Sequence, residues 1–176
     1  MPHLSYLLNW ERKIGMKTQI WAHRGASAYA PENTMPAFEL GIKMGADGFE
    51  IDIRIAKDGS LVLCHDDNLN RVSNGSGLVE EKTLEELKSY NFSNGMDGFP
   101  NVKIATLREL YELVKKHRLT VNVEVKYADT RQDELNEKLA ALADEFEMDD
   151  QIVYSSFNEE YLLRLKRLVR SKVLLL

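Results

Sequence analysis

The sequence is short of the features that mark secreted, membrane-spanning or nucleic-acid-binding proteins. It has one cysteine, Cys64, so no internal disulfide can form, and a reducing compartment suits the chain. No apolar stretch approaches the ~20 residues that a membrane span needs. Acidic residues outnumber basic ones by 28 to 23, so the surface lacks the basic excess that binds nucleic-acid phosphates. We therefore expect a cytoplasmic protein without a transmembrane segment and without a nucleic-acid partner.

The first fifteen residues differ from the rest of the chain. They carry a short apolar patch, which consists of Leu4, Tyr6, Leu7, Leu8 and Trp10. A signal peptide is not indicated, because the basic n-region and the small-residue cleavage site are both missing. The alternative is an amphipathic flap against the bottom of the fold. We predict that residues 1–15 form an N-terminal extension outside the core and that residues 16–176 form one domain.

What the sequence does contain is typical of a globular α/β protein. Hydrophobic residues make up 44% and charged residues 29%, enough for one substantial core. Runs of β-branched residues alternate with helical periods, which predicts a parallel sheet covered by helices. The predicted strands are residues 19–23, 48–55, 61–65, 120–126, 152–155 and 172–176. The predicted helices are residues 35–44, 84–90, 107–117, 131–147 and 159–169.

Two stretches interrupt this alternation. The chain is irregular and polar after the third strand, with turn-forming Asn, Ser and Gly residues. This predicts an insertion over about residues 66–105, too long for an ordinary loop and more consistent with a subdomain that shapes a substrate site. In contrast, only residues 56–60 join the second and third strands, whereas a parallel crossover needs about a dozen residues or more. Either these strands form a hairpin, or the expected helix is missing.

Polar motifs begin where the first predicted strand ends. The sequence His-Arg-Gly starts at His23, and Pro-Glu-Asn-Thr occupies residues 31–34, where the next helix opens. His23 can exchange a proton near neutral pH, and the planar fork of Arg24 suits a phosphate oxygen. The simpler interpretations are a structural histidine and a helix start capped by Asn33 or Thr34. In a barrel, however, strand ends of this kind line the active site.

The second strand carries two acids on one face. Glu50, Asp52 and Arg54 are two residues apart, so they share a face, while apolar residues alternate with them on the other. If the apolar face meets helices, the acids point into the interior, where unpaired charge is very costly. A divalent cation explains such acids, since oxygen ligands suit Mg²⁺ or Ca²⁺. The alternative is an ion pair with Arg54 or with another base of the interior.

The fourth strand repeats this pattern. Asn122, Glu124 and Lys126 share one face, with valines between them on the other. Glu124 is therefore a third candidate oxygen ligand, and Lys126 would offer a point charge to a phosphate or its transition state. The alternative is a structural Glu124–Lys126 pair on an edge strand facing water.

The remaining histidines and the cysteine fall into different classes. His65 closes the third strand, and with His23 it offers an acid and a base for phosphodiester cleavage. Cys64 is interpreted as a small core residue rather than a nucleophile. His117 lies in the last turn of a helix, where a cation is favoured, so we expect a structural role for it.

In this order and spacing, the motifs resemble those of the glycerophosphodiester phosphodiesterase family, from about residue 18 to the last residue. The motifs are His-Arg-Gly, Pro-Glu-Asn-Thr, Glu-x-Asp, an Asp-Gly turn, His-Asp, Glu-Val-Lys and Ser-Ser-Phe. The resemblance implies one divalent cation, Ca²⁺ or Mg²⁺, on Glu50, Asp52 and Glu124. It implies His23 and His65 as catalytic residues. It implies substrate binding by Arg24, Lys126 and Glu32, the last as a support for the site.

The resemblance also implies a fold and a reaction. The fold is a (β/α)8 TIM barrel, which takes ~250 residues, so we expect one truncated after about six strands and able to form a homo-oligomer. The reaction is hydrolysis of small glycerophosphodiesters, such as glycerophosphocholine or glycerophosphoethanolamine, to glycerol 3-phosphate and an alcohol. The alternatives are a phospholipase D-like or phosphoinositide phospholipase-like enzyme, and an inactive partial barrel that acts as a binding module.

Overall fold

The computed structural model describes residues 18–93 and 95–176, so the predicted extension over residues 1–15 lies outside the described residues. The strands are β1 Trp21–His23, β2 Gly48–Ile55, β3 Leu61–Leu63, β4 Thr120–Val125, β5 Ile152–Ser156 and β6 Lys172–Leu175. The helices are α1 Met35–Lys43, α2 Leu84–Ser89, α3 Leu107–His117, α4 Gln132–Phe146 and α5 Glu159–Lys166. All the predicted strands and helices are present, with differences only at their ends.

The strands form one sheet, in the order β1-β2-β4-β5-β6, with β3 attached to β2. The five strands along this path are parallel. The register sets Asp52 of β2 beside Glu124 of β4, and Glu124 beside Ser155 of β5. The sheet therefore places the predicted acids on adjacent strands at one level.

The third strand is where the structure decides between the two interpretations of the short connection. β3 runs antiparallel to β2, with Leu63 opposite Ile53. The turn between them is tight, and Gly59 takes a positive φ of 84° that glycine adopts without strain. Ile53 also pairs with Val125 of β4, so β3 lies along the other edge of β2, the edge that β1 occupies lower down. All six predicted strands exist, but only five run parallel as barrel strands do.

The core lies between the sheet and its helices. The outward side chains of β2 and β4, Phe49, Ile51, Val121 and Val123, are fully buried. Burying each such side chain contributes roughly 1.5–3 kcal/mol, which fixes the face that these strands turn towards the helices. The predicted alternation is thereby confirmed, and it turns the acids of the same strands to the opposite, interior face.

The predicted insertion has an apolar cluster of its own. Leu69, Leu87 and Phe92 are buried in it, together with Cys64 at the end of β3. Burial raises the pKa of the Cys64 thiol to about 12, so it stays protonated and fills space as expected. Among the described residues, no helix is long and apolar enough to cross a membrane.

Candidate active site

Two strands bring their terminal histidines to the same stretch of β2. The backbone N–H that follows His23 donates to the carbonyl of Glu50 at 2.8 Å. The backbone N–H that precedes His65 donates to the carbonyl of Asp52 at 3.1 Å. Carbonyls two residues apart on a strand point to the same edge, and β1 and β3 approach along this edge from opposite directions. The hairpin therefore brings the backbone next to His65 alongside Asp52, although β3 runs against the barrel direction.

Three carboxylates converge next to these strand ends. Glu50, Asp52 and Glu124 each offer an oxygen, and these atoms lie within 4.8 Å of one another. Asp52 is fully buried, and Glu124 is 8% exposed. Burial, followed by the charges of Asp52 and Glu124, raises the pKa of Glu50 to about 7. The negative charges of the three acids therefore repel one another where the acids meet.

Asp52 forms ion pairs with two basic side chains and accepts a hydrogen bond from an amide. Lys126 Nζ lies 2.8 Å from its Oδ1, and Arg24 Nε lies 3.0 Å from its Oδ2. Asn33 donates its side-chain amide to Oδ2 at 2.8 Å. Burial alone would raise the pKa of Asp52, but the hydrogen bonds of Lys126 and Asn33 outweigh it and lower that pKa. Lys126 also pairs with Glu124, so one ammonium joins the two strands.

The two alternative interpretations are correct in one respect and wrong in another. Asp52 does pair with the interior bases Arg24 and Lys126, and Glu124 does pair with Lys126. Among the described residues, Arg54 forms no ion pair with Glu50 or Asp52 of its own strand. It donates to the His65 carbonyl, at 3.2 Å from Nε and 2.8 Å from the second terminal nitrogen. Strand β4, in turn, lies between β2 and β5 rather than at an edge. Glu124 and Lys126 therefore face the interior and not water.

The donor set fits a divalent cation. Among the described residues, both carboxylate oxygens of Glu50 are buried and accept no hydrogen bond. A buried carboxylate without donors is costly, and its usual remedies are protonation or a metal ion. Three clustered carboxylates are the oxygen ligands that Mg²⁺ and Ca²⁺ prefer. The chemistry of these residues therefore suits either ion.

The two predicted catalytic histidines differ in their surroundings. His23 is largely exposed, with 64% of its side chain accessible, and its Nε2 lies 3.4 Å from Glu50. His65 Nδ1 lies 2.8 Å from Asp66 Oδ1. This contact leaves Nε2 of His65 as the ring nitrogen available for proton transfer. His117 is the last residue of α3, and its side chain is exposed.

The structure adds residues that the sequence did not single out. Asn33 was interpreted as a possible cap, yet its side chain binds Asp52, and Thr34 occupies the cap position without a capping hydrogen bond. The backbone of Asn33 has a φ of 55°, a region that Asn tolerates better than most residues. Arg71, from the insertion, binds Glu32 and Asp66. No sequence pattern marked it.

Predicted Glu32 lies at the rim of this cluster. Its carboxylate contacts Arg24 at 3.1 Å and Arg71 at 2.7 Å. The hydrogen bond from Arg71, with the charges of both arginines, lowers the pKa of Glu32 despite its partial burial. Glu32 thus contacts both arginines, and its part in substrate binding stays a prediction.

The chain is similar to known proteins in both sequence and fold. A glycerophosphodiester phosphodiesterase from Caldanaerobacter subterraneus is 38% identical over 154 residues, covering 87% of this chain and 63% of the relative. The crystal structure of a glycerophosphodiester phosphodiesterase from Agrobacterium tumefaciens matches with a TM-score of 0.78 and 34% identity, covering 86% of this chain and 63% of that one. An Oleispira antarctica phosphodiesterase, solved with its product sn-glycerol-3-phosphate, matches with a TM-score of 0.82 and 30% identity, covering 90% of this chain and 64% of that one.

The comparisons also bear on the length and on the family. The chain spans 63% of the Caldanaerobacter relative, so it corresponds to part of such a protein. The profile of the Glycerophosphoryl diester phosphodiesterase family matches residues 23–176, from the first predicted catalytic histidine through β6. The chain belongs to the glycerophosphoryl diester phosphodiesterase family.

Proposed function

We propose that this chain carries the catalytic centre of an enzyme that hydrolyses glycerophosphodiesters to glycerol 3-phosphate and an alcohol. The observation that carries the proposal is the cluster of Glu50, Asp52 and Glu124. The basic side chains of Arg24 and Lys126 form ion pairs with Asp52 of this cluster. Family membership and the glycerol-3-phosphate bound by the Oleispira antarctica relative support this reaction. The substrate class is a small diester such as glycerophosphocholine or glycerophosphoethanolamine.

The three carboxylates would hold one divalent cation, Ca²⁺ or Mg²⁺. When bound, such an ion supplies positive charge to a phosphate oxygen and lowers the pKa of a coordinated hydroxyl or water. The chain's own contribution is a fixed set of acids on two adjacent strands, with Lys126 holding Asp52 and Glu124 together. A preorganised site of this kind does not have to rearrange as charge develops.

Arg24 and Lys126 would bind the substrate phosphate. Both side chains are mostly buried, and both are oriented by contacts with Asp52. Arg24 has a further contact with Glu32, which leaves the planar guanidinium in a defined direction. A guanidinium fork and a compact ammonium can share a phosphate group, since each suits anionic oxygens.

His23 and His65 would transfer the protons. One histidine takes the proton of the attacking hydroxyl or water, and the other gives a proton to the departing alcohol oxygen. Asp66 holds the His65 ring through Nδ1, so Nε2 of His65 would be the nitrogen that exchanges the proton. The Glu50 carboxylate lies 3.4 Å from Nε2 of His23 and would help to orient this ring.

A cytoplasmic location belongs to the same proposal, and the single cysteine supports it. A homo-oligomer is also proposed, because the strands at the two ends of the sheet, β1 and β6, present backbone edges in the described part of the chain.

The test is a paired hydrolysis assay with glycerophosphocholine. It compares the 176-residue chain with a version extended by about 70 family-like residues. The extension brings the total close to the ~250 residues of a full barrel. We expect release of glycerol 3-phosphate that depends on Mg²⁺ or Ca²⁺, that EDTA stops, and that is faster in the extended version.

The matched control is Glu50→Gln, which removes one charge and keeps the side chain's shape. It should abolish cation-dependent hydrolysis while circular dichroism shows an intact fold. Hydrolysis by neither version, or equal hydrolysis by the Gln variant, would contradict the proposal.

A further inference from the structure

One arginine of the insertion contacts two carboxylates at once. Arg71 reaches Glu32 with both terminal nitrogens, at 2.7 and 2.9 Å. It reaches Asp66 with Nε at 2.8 Å and with a terminal nitrogen at 3.0 Å. Both contacts are bidentate, a geometry that fixes orientation as well as charge. The guanidinium therefore holds the two carboxylates at a set separation.

Each of these carboxylates also binds a residue with a proposed chemical role. Asp66 lies 2.8 Å from the His65 ring, and Glu32 lies 3.1 Å from Arg24. The resulting chain of contacts runs from His65 through Asp66, Arg71 and Glu32 to Arg24. The hydrogen bond from Arg71 is the main cause that lowers the pKa of Glu32 and holds the pKa of Asp66 far below its usual range. Both carboxylates stay charged across the neutral range.

We propose that Arg71 is a positioning residue that holds the His65 ring and the Arg24 guanidinium in one relative arrangement. It acts through Asp66 and Glu32 rather than on the substrate. This role rests on the proposed function, in which His65 moves a proton and Arg24 binds phosphate. It also gives the insertion a definite part in catalysis, because Arg71 lies within it.

The physical reason for an arginine at this position is its planar fork. A guanidinium has five donors in fixed directions and can serve two carboxylates together, whereas the compact ammonium of lysine cannot keep both geometries. Without Arg71, the carboxylates of Glu32 and Asp66 would lose their shared cation. The His65 ring and the Arg24 fork would then each gain freedom to turn. A displacement of about 1 Å in a catalytic group can cost on the order of 10²-fold in rate.

The first test is kinetic, in whichever of the 176-residue and extended versions is active. We expect Arg71→Gln to lower kcat, through His65, and to raise KM, through Arg24, with a combined loss on the order of 10²-fold in kcat/KM. Arg71→Lys should restore part of it by supplying charge without the fork. The acid limb of the pH–rate profile should move to higher pH in Arg71→Gln, because Asp66 and Glu32 would protonate more easily.

The matched control is a second bidentate pair on the surface. Arg108 binds Glu145 at 2.6 and 2.7 Å, away from the carboxylate cluster. Arg108→Gln should leave kcat, KM and the pH profile unchanged, because exposed ion pairs of this kind contribute little. Native kcat and KM in Arg71→Gln would overturn the positioning role.

The second test needs no activity and uses NMR on the 176-residue chain. The Asp66 carboxylate carbon should titrate at higher pH in Arg71→Gln than in the native chain, and the His65 ring nitrogen resonances should move. Neither should change in Arg108→Gln. An unchanged Asp66 titration would overturn the positioning role of Arg71. If no version hydrolyses the diester, the proposed function fails, while the NMR shifts still support or refute the coupling of Arg71 to His65.

Discussion

The two sides of the site are built differently. On the side of β1, β2 and β3, most charged groups contact a group of opposite charge. Asp52 has three polar contacts, with Arg24, Lys126 and Asn33. On the side of β5 and β6, the described residues supply few polar contacts to the site. Ser155 is fully buried, yet its hydroxyl has no hydrogen-bond partner among the described residues. β6 exposes Lys172 together with the apolar side chains of Leu174 and Leu175.

This difference separates chemistry from closure. Every residue with a proposed catalytic, ligand or phosphate-binding role lies on β1, β2, β4 or the connections next to β1, β3 and β4. Strands β5 and β6 instead extend the parallel sheet that supports them. The described sheet has five parallel strands, whereas a closed barrel of this class has eight. Residues 18–93 and 95–176 therefore contain the proposed reactive groups without the full wall of a barrel around them.

The largest expected effect comes from breaking the paired side at its centre. Asp52→Asn removes one charge from a fully buried position and leaves Arg24 and Lys126 without their shared partner. Breaking a buried ion pair in this way costs about 3–5 kcal/mol, and we expect a loss of this order in the free energy of unfolding. Urea denaturation measures it.

The matched change on the surface is Glu145→Gln, which breaks the exposed pair with Arg108. It should leave the urea midpoint unchanged. If both variants lost the same stability, the charge network around Asp52 would be no more important to the fold than a surface pair.

The next effect concerns the two histidines of the paired side. His23→Ala and His65→Ala should each lower turnover by about 10²-fold or more, the usual scale for one acid or base. His117→Ala is the control, since His117 ends α3 at the surface. Steady-state rates in an active version decide the matter. Near-normal rates without His65, or a comparable loss at His117, would show that the assignment is wrong.

The sequence predicted the carboxylate cluster because strand geometry is regular. Side chains on a strand alternate with period two, so the apolar residues beside Glu50, Asp52 and Glu124 decided which way these acids point. The parallel register then set Asp52 beside Glu124. Both steps depend on local rules that composition and spacing carry.

The contacts between distant segments could not be predicted in the same way. Glu32 and Arg71 are 39 residues apart, and the fold of the insertion alone brings them together. An arginine in a polar, turn-rich stretch has no pattern that separates one bound to two carboxylates from one that contacts only water. The direction of β3 was open for a similar reason, because five connecting residues allow a hairpin but do not require it.

A smaller effect is expected from pH, and it acts on Glu50. Its pKa is raised from the ordinary 4.5 to about 7 in the folded chain. Between these values the folded chain keeps a proton that the unfolded chain has lost, so the free energy of unfolding falls as pH rises through this window. We expect the urea midpoint in EDTA to be lower at pH 8 than at pH 5.

Glu50→Gln separates this effect from other groups that titrate between these pH values. The variant cannot ionise at this position, so its urea midpoint should fall less over the same interval than that of the native chain. Added Mg²⁺ or Ca²⁺ should raise the native midpoint more at pH 8 than at pH 5, since deprotonated ligands bind metal better. An identical pH dependence in the two proteins would remove Glu50 as its source.

The smallest effect on stability is expected on the side of β5 and β6. Leu174 and Leu175 are 52% and 53% exposed on β6, which is the last strand in the order of the sheet. An apolar edge strand favours pairing with another chain, and lysine at such an edge opposes it. Replacing both leucines by lysine should shift the chain towards the monomer in size-exclusion chromatography. The free energy of unfolding should change by no more than about 0.5 kcal/mol, as is usual for exposed positions. Leu163→Lys is the matched control, because Leu163 is 56% exposed but lies on α5 instead of the edge. If the double variant and the control eluted alike, self-association through β6 would be ruled out, and the apolar edge would not be what draws two copies together.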